Sequence, residues 1–113
     1  MELYNYKAKV LKVIDGDTVK LKIDCGFNIE WISNCRLAGI NSDELKDANP
    51  ELKESAFKAK SFMESLLAEN DVVTIKSTAL DKYRRPIVYI IRKDGLNINE
   101  CMLKEGMAKP YKP

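Results

Sequence analysis

The chain has 113 residues, 45% of them apolar and 32% charged, with 19 Lys plus Arg against 17 Asp plus Glu, which is the make-up of one soluble globular domain, 1–113. Histidine is absent, which excludes His-ligated zinc, Ser-His-Asp and Cys-His catalysis, and any imidazole acid or base. Cys25, Cys35 and Cys101 form no CxxC pair, and an odd count suits buried, reduced thiols better than a bridged scaffold.

No 18 apolar residues run together and Met1 to Val10 has no continuous apolar stretch, so no membrane association is expected. The chain as given reads as a cytoplasmic monomer, or as a secreted protein shown without its signal. Charge is uneven along it: residues 1–40 balance to +1, residues 41–71 to −4 and residues 72–113 to +5. An acidic middle followed by a basic final third can place an anion-binding face beside carboxylates, although ordinary surface charge explains the same numbers.

From Tyr6 to Ile14 apolar residues alternate with Lys7, Lys9 and Lys12, and from Thr18 to Asp24 Val19, Leu21 and Ile23 alternate with Lys20 and Lys22. These are two half-buried strands joined at Asp15-Gly16-Asp17. A third strand runs through Phe27, Ile29 and Trp31 to Cys35 and Leu37, with Ile32 suggesting a bulge near Ser33 and Asn34. Leu52, Ala56, Ala59, Met63 and Leu66 then recur at helical spacing. Asn49 is the expected N-cap of that helix, Pro50 its first residue and Asn70 its left-handed end.

Val72 to Ser77 and Ile87 to Arg92 read as two more strands, with an Asp94-Gly95 turn after them. A short helix follows Asn97, has Glu100 at the capping-box position and stops at Gly106. Met1 to Asn5 and Pro110 to Pro113 read as tails. The order of three strands, helix, two strands and short helix is that of a five-stranded OB-fold β-barrel, a mainly β fold of the α+β class.

Four patches carry the chemistry. Asp15-Gly16-Asp17-Thr18 sets two carboxylates on a turn, where they serve either as hairpin chemistry or as hard-cation ligands. Arg36 leads into the acidic run Asn41-Ser42-Asp43-Glu44, and its planar fork matches a carboxylate or two phosphate oxygens. Asp81-Lys82-Tyr83-Arg84-Arg85 is a basic loop before a strand, and Lys109-Pro110-Tyr111-Lys112 closes the chain. Tyr83 and Tyr111 suit packing or base stacking. With no imidazole present, a glutamate is the natural base for activating water.

Taken in order, Val13-Ile14-Asp15-Gly16-Asp17-Thr18-Val19-Lys20-Leu21, Arg36-Leu37 with Glu44, Asp81-Lys82-Tyr83-Arg84-Arg85 with Tyr89-Ile90, and Asn99-Glu100 with Glu105-Gly106-Met107-Ala108-Lys109 resemble the staphylococcal nuclease (thermonuclease) family across nearly the whole chain. The resemblance implies a calcium-dependent nuclease on an OB barrel, hydrolysing phosphodiesters of DNA or RNA and preferring single strands. It implies Asp17, Asn41 and the Ser42 backbone carbonyl as calcium ligands, with Asp15 supporting them from outside the ligand set. It also implies Glu44 as the base, Arg36 and Arg85 as the phosphate clamp, and Lys82, Tyr83 and Tyr111 as substrate contacts.

Asn41 stands where the family has Asp, which predicts weaker metal binding and impaired activity. Arg84 stands where the family has glycine, and Asp43 where it has proline. The alternatives are a non-catalytic OB-fold nucleic-acid-binding module and, less favoured, a protein-interaction domain on the same barrel.

Overall fold

A computed structural model describes residues 4–42 and 49–111. The sequence alternation sends Ala8, Val10 and Val13 of β1 (Tyr4–Asp15) and Val19, Leu21 and Ile23 of β2 (Thr18–Asp24) to one face, where all are buried, while Lys7, Lys9, Lys12 and Lys20 face out. Strand β3 (Glu30–Leu37), the two-residue β4 (Ile40–Asn41), helix α1 (Pro50–Leu66), β5 (Val72–Leu80), β6 (Pro86–Ile91), α2 (Ile98–Lys104) and the two-residue β7 (Lys109–Pro110) follow. Five strands close a barrel in the order β1-β2-β3-β6-β5, with β3 and β6 parallel and the other neighbours antiparallel. This is the expected α+β, OB-like architecture.

Inside the barrel, Val10, Leu21, Leu37, Ile75, Val88 and Ile90 pack with Ile40, Met63, Ile98 and Met102 in one core. Helix α1 starts as expected: the Asn49 side chain accepts from the Glu51 N–H and Pro50 opens the first turn, sparing an amide that has no helical partner there. It buries Ala56, Ala59 and Met63. Helix α2 is capped by Asn97, which accepts from the Glu100 N–H, and ends at Gly106 with φ 71°. Among the described residues no helix is long and apolar enough to cross a membrane.

Four expectations need correction. No bulge interrupts β3, whose pairing with β2 runs unbroken from Thr18–Arg36 to Asp24–Glu30. Trp31, Ser33, Cys35 and Leu37 share one parity, and Ile32 is an exposed residue of the other face. The register shifts instead lie in β1, at Val10/Lys12 and Val13/Asp15, and in β5, at Ser77/Ala79. Phe27 lies before β3 in a tight turn, where it and Asn28 take left-handed φ values of 56° and 62°.

The third correction concerns Asn70. It is left-handed as expected, but α1 has already ended at Leu66, and Asn70 shapes the following turn, where its N–H donates to the Val10 carbonyl. The fourth is that neither end is a simple tail: Tyr4 and Asn5 already belong to β1, opposite Ser77 and Lys76 of β5. Lys109–Pro110 pairs with Ile40–Asn41, and the Tyr111 N–H donates to the Gly39 carbonyl at 2.9 Å.

Gly16 is needed for closeness. A Cβ there would lie 2.6 Å from the Ala59 Cβ and 2.9 Å from both the Cβ and Oγ of Ser42, because the β1–β2 turn is pressed between α1 and the segment after β4. Gly16→Ala is expected to cost about 1–3 kcal/mol by overpacking. A urea melt that matches the wild-type midpoint would show that this contact is not tight.

Candidate active site

The β1–β2 turn lifts Asp17 to the barrel rim, where three donors converge on its carboxylate. Thr18 Oγ1 donates to Oδ1 at 3.0 Å, the Ser42 N–H donates to Oδ2 at 2.9 Å, and Arg36 Nη1 lies 3.3 Å from Oδ2. The Leu37 N–H also donates to the Asp17 carbonyl, fastening the turn to β3. Burial alone would raise the pKa of Asp17, but the hydrogen bond with Asp15, the Ser42 N–H and the Arg36 charge outweigh it and hold the carboxyl below its usual value.

Asp15 takes the opposite share. Its Oδ1 accepts from the Asp17 N–H at 3.1 Å. Burial, the Asp17 hydrogen bond and the Asp17 charge push its pKa up to about 6. A carboxyl raised in the folded state favours folding below its unfolded pKa and opposes it once pH passes the folded value. Asp15→Asn keeps the accepting oxygen and is expected to stabilise the cation-free domain at pH 7–8 by about 1 kcal/mol, after screening at a half-exposed group is allowed for. The gain should vanish near pH 4. Denaturant melts across that range check it, and a gain independent of pH would contradict it.

Arg36 sits on the outer face of β3, where it lies between the turn and β4. Its Nη2 donates to Asn41 Oδ1 at 3.0 Å and its Nη1 to the Leu37 carbonyl at 3.3 Å, and its guanidinium lies 5.5 Å from the centre of the Tyr111 ring. Asn41 is placed by the short β4–β7 pairing, which also delivers Tyr111. Ser42 follows, with its Oγ fully buried and without a hydrogen-bond partner among the described residues. Asp17, Arg36, Asn41, Ser42 and Tyr111 are thus brought together from distant parts of the chain.

The basic loop forms the facing wall. Asp81 organises it by accepting from the N–H groups of Tyr83 and Arg85 and from Arg85 Nε at 2.7 Å. Burial raises the Asp81 carboxyl, and these donors together outweigh it and hold the carboxyl below its usual value. The Tyr83 ring is flanked by Lys82 Nζ at 5.2 Å and the Arg85 guanidinium at 5.6 Å. Arg84 has φ 64°, the left-handed conformation that a glycine adopts without strain. Arg36, Asn41, Lys82, Tyr83, Arg85 and Tyr111 line one cleft of about 650 Å³, within the usual range of ligand sites.

Glu44 and Asp43 lie outside the described residues. Sequence reasoning assigned no role to Asp81, although its place four residues before Arg85 is the signal for such a restraint. It also gave no role to Asn99, named only within the closing motif, which is buried with every polar atom of its side chain used. Its Nδ2 donates to the Ala38 and Val88 carbonyls at 2.9 and 3.0 Å, and its Oδ1 accepts from the Ile90 N–H at 3.0 Å. These bonds tie α2 to β6 and to the turn that leads into β4. A single polar residue inside an apolar helix face was the available clue.

Comparison with known proteins points the same way as this cleft. MJ1439, an uncharacterized protein of Methanocaldococcus jannaschii, is 33% identical over 95% of this chain and 60% of its own length. Endonuclease YhcR of Bacillus subtilis is 28% identical over 94% of this chain and 9% of its own. An uncharacterized endonuclease of Escherichia coli O157:H7 is 26% identical over 92% of this chain and 60% of its own. The chain therefore spans at most 60% of the length of these relatives. Residues 34–113, which carry Arg36, Asn41, Arg85 and Tyr111, match the family model described as staphylococcal nuclease homologue, and the chain belongs to that family.

Proposed function

We propose that this domain is a calcium-dependent nuclease that hydrolyses phosphodiester bonds in DNA or RNA, with activity reduced by Asn41. The observation that carries the proposal is the cleft: Arg36 and Arg85 line one cavity with Lys82, Tyr83 and Tyr111, and Asp17 lies within ion-pair distance of Arg36. Attack of water on a phosphodiester builds charge on the phosphoryl oxygens. Two guanidinium forks directed into the cleft would stabilise that transition state more than the bound ester. In this reading Lys82 contacts a neighbouring phosphate while Tyr83 and Tyr111 hold bases. Glu44 takes a proton from the attacking water as its oxygen bonds to phosphorus; the ester P–O bond breaks and the departing oxygen takes a proton from solvent, so that the products are a phosphate monoester and a free hydroxyl.

The donors around Asp17 suit a hard cation. Two carboxylates, an amide oxygen and a buried hydroxyl without a partner among the described residues offer oxygen alone. Asp17, Asn41 and the Ser42 carbonyl would hold calcium, with Asp15 behind them. A bound ion would act as a Lewis acid on a phosphoryl oxygen. Among the described residues no three His, Cys, Asp or Glu side chains form a cluster, and Asn41 brings no charge of its own to the ligand set. Asn41→Asp, which adds a charge beside Arg36, is expected to tighten calcium binding about tenfold and raise activity. A calcium titration that does not move would remove Asn41 from the ligand set.

A calcium titration followed by cleavage of labelled single-stranded DNA and RNA on the same sample tests the proposal. Turnover that requires millimolar calcium and stops with chelator supports it; no cleavage above an Arg85→Ala control rejects it. The second reading, a binding module without catalysis, is favoured by one observation: the Arg36 fork is already shared between Asp17 and Asn41. Salt-dependent binding without turnover would establish that reading.

A further inference from the structure

Away from the cleft, the outer face of β1 and β2 carries five lysines; Lys7 stands opposite Asp24, but the other four form two facing pairs that work against the sheet. Lys9 stands directly opposite Lys22, and Lys12 directly opposite Lys20, an arrangement that is unfavourable between like charges. Lys7, Lys9, Lys12 and Lys20 are exposed, and among the described residues none of the four has an ion-pair partner; Lys22 alone pairs, with Glu30 at 3.4 Å.

The patch continues into the cleft. Lys20 is opposite Asn34 of β3, and Arg36 is two residues further along the same face of that strand, so Lys20 and Arg36 are diagonal neighbours on adjacent strands. Lys22 extends the row, facing Ile32, an exposed apolar residue. Cationic charge therefore runs without a break from the Arg36 wall across β2 to Lys12 and Lys9 of β1.

We propose that this lysine face is a track for a single nucleic-acid strand leaving the cleft, so that the domain binds polymeric strands in preference to short oligonucleotides. The inference rests on the nuclease reading for what occupies the cleft. A polyanion spread over the face would relieve the repulsion between the facing lysines. Continuity with Arg36 favours a strand already held in the cleft over an anionic membrane or an acidic protein. Lysines bind phosphates as point charges, without base readout, so the track is indifferent to sequence.

The test compares wild type with Lys9→Gln/Lys12→Gln/Lys20→Gln and with Lys12→Glu. Binding of a fluorescein-labelled 20-nucleotide single strand and of a labelled trinucleotide is followed by anisotropy in chelator, where no turnover occurs. The triple variant is expected to bind the 20-mer at least tenfold more weakly, with the slope of log K against log salt smaller by about 2, and the trinucleotide within twofold of wild type. Its melting temperature should hold or rise, and Lys12→Glu, facing Lys20, should raise stability while weakening 20-mer binding.

Unchanged 20-mer affinity, an equal loss for the trinucleotide, or no length preference in the wild type would overturn the proposal. So would a variant that loses phosphatidylserine vesicles but keeps the 20-mer. Because binding is read without turnover, absence of cleavage would reject the nuclease reading and leave the binding result standing.

Discussion

Arg85→Ala is expected to lower kcat for single-stranded substrate by about 10²–10³, the usual cost of one preorganised charge contact, or about 2.7–4 kcal/mol of barrier. The loop around Arg85 is built to hold it still. Asp81 accepts from its Nε and its backbone N–H, and the Tyr83 ring lies beside the guanidinium. A group fixed before the substrate arrives needs no reorganisation as charge builds on phosphorus. Arg85→Lys should recover little of the rate, since an ammonium cannot present two parallel donors.

Stability should change by no more than about 1 kcal/mol, because the Arg85–Asp81 pair is partly exposed. Asp81 also keeps its backbone donors. Arg36→Ala should differ here, since it strips the counter-ion from the nearly buried Asp17. Single-turnover rates with calcium in excess decide the matter. A rate within threefold of wild type would remove Arg85 from the chemistry.

Asn99→Leu is expected to cost about 3 kcal/mol of folding free energy by leaving buried backbone groups without partners, lowering Tm by roughly 12 °C. The Ala38 carbonyl and the Ile90 N–H lose this partner, while the Val88 carbonyl keeps the Ala38 N–H at 2.7 Å, and the surrounding packing of Val88, Ile90, Ile98 and Met102 is apolar. Removing the partly exposed Asn97 cap by Ala should cost only about 1 kcal/mol. Paired denaturant melts test the contrast, and equal losses would show that burial of the Asn99 network adds nothing. Because the Ala38 carbonyl is one of its acceptors, the variant should also loosen the turn that presents Asn41.

Much of this could be read from periodicity and capping chemistry. Val19-Lys20-Leu21-Lys22-Ile23 is a strand under any reading of its alternation, and Asn49-Pro50 fixes a helix start through one acceptor and one missing donor. The ordered motifs also named Asp17, Arg36, Asn41, Ser42 and Tyr111, which the fold brings together. Ile32 misled because a lone exposed apolar residue looks like a change of parity. The β4–β7 pairing was illegible for a plainer reason: two residues have no period. Asn99 escaped because the value of a buried amide depends on which carbonyls happen to surround it.

The pairing of β7 with β4 sets an order of assembly. Lys109, which pairs with Asn41, and Tyr111, which lies beside the Arg36 guanidinium, leave the synthesis machinery roughly 70 residues after Arg36. Until they do, one wall of the cleft is missing, however well the strands before it have paired. A chain released early should therefore be a barrel that holds its shape and yet has no complete grip on a substrate.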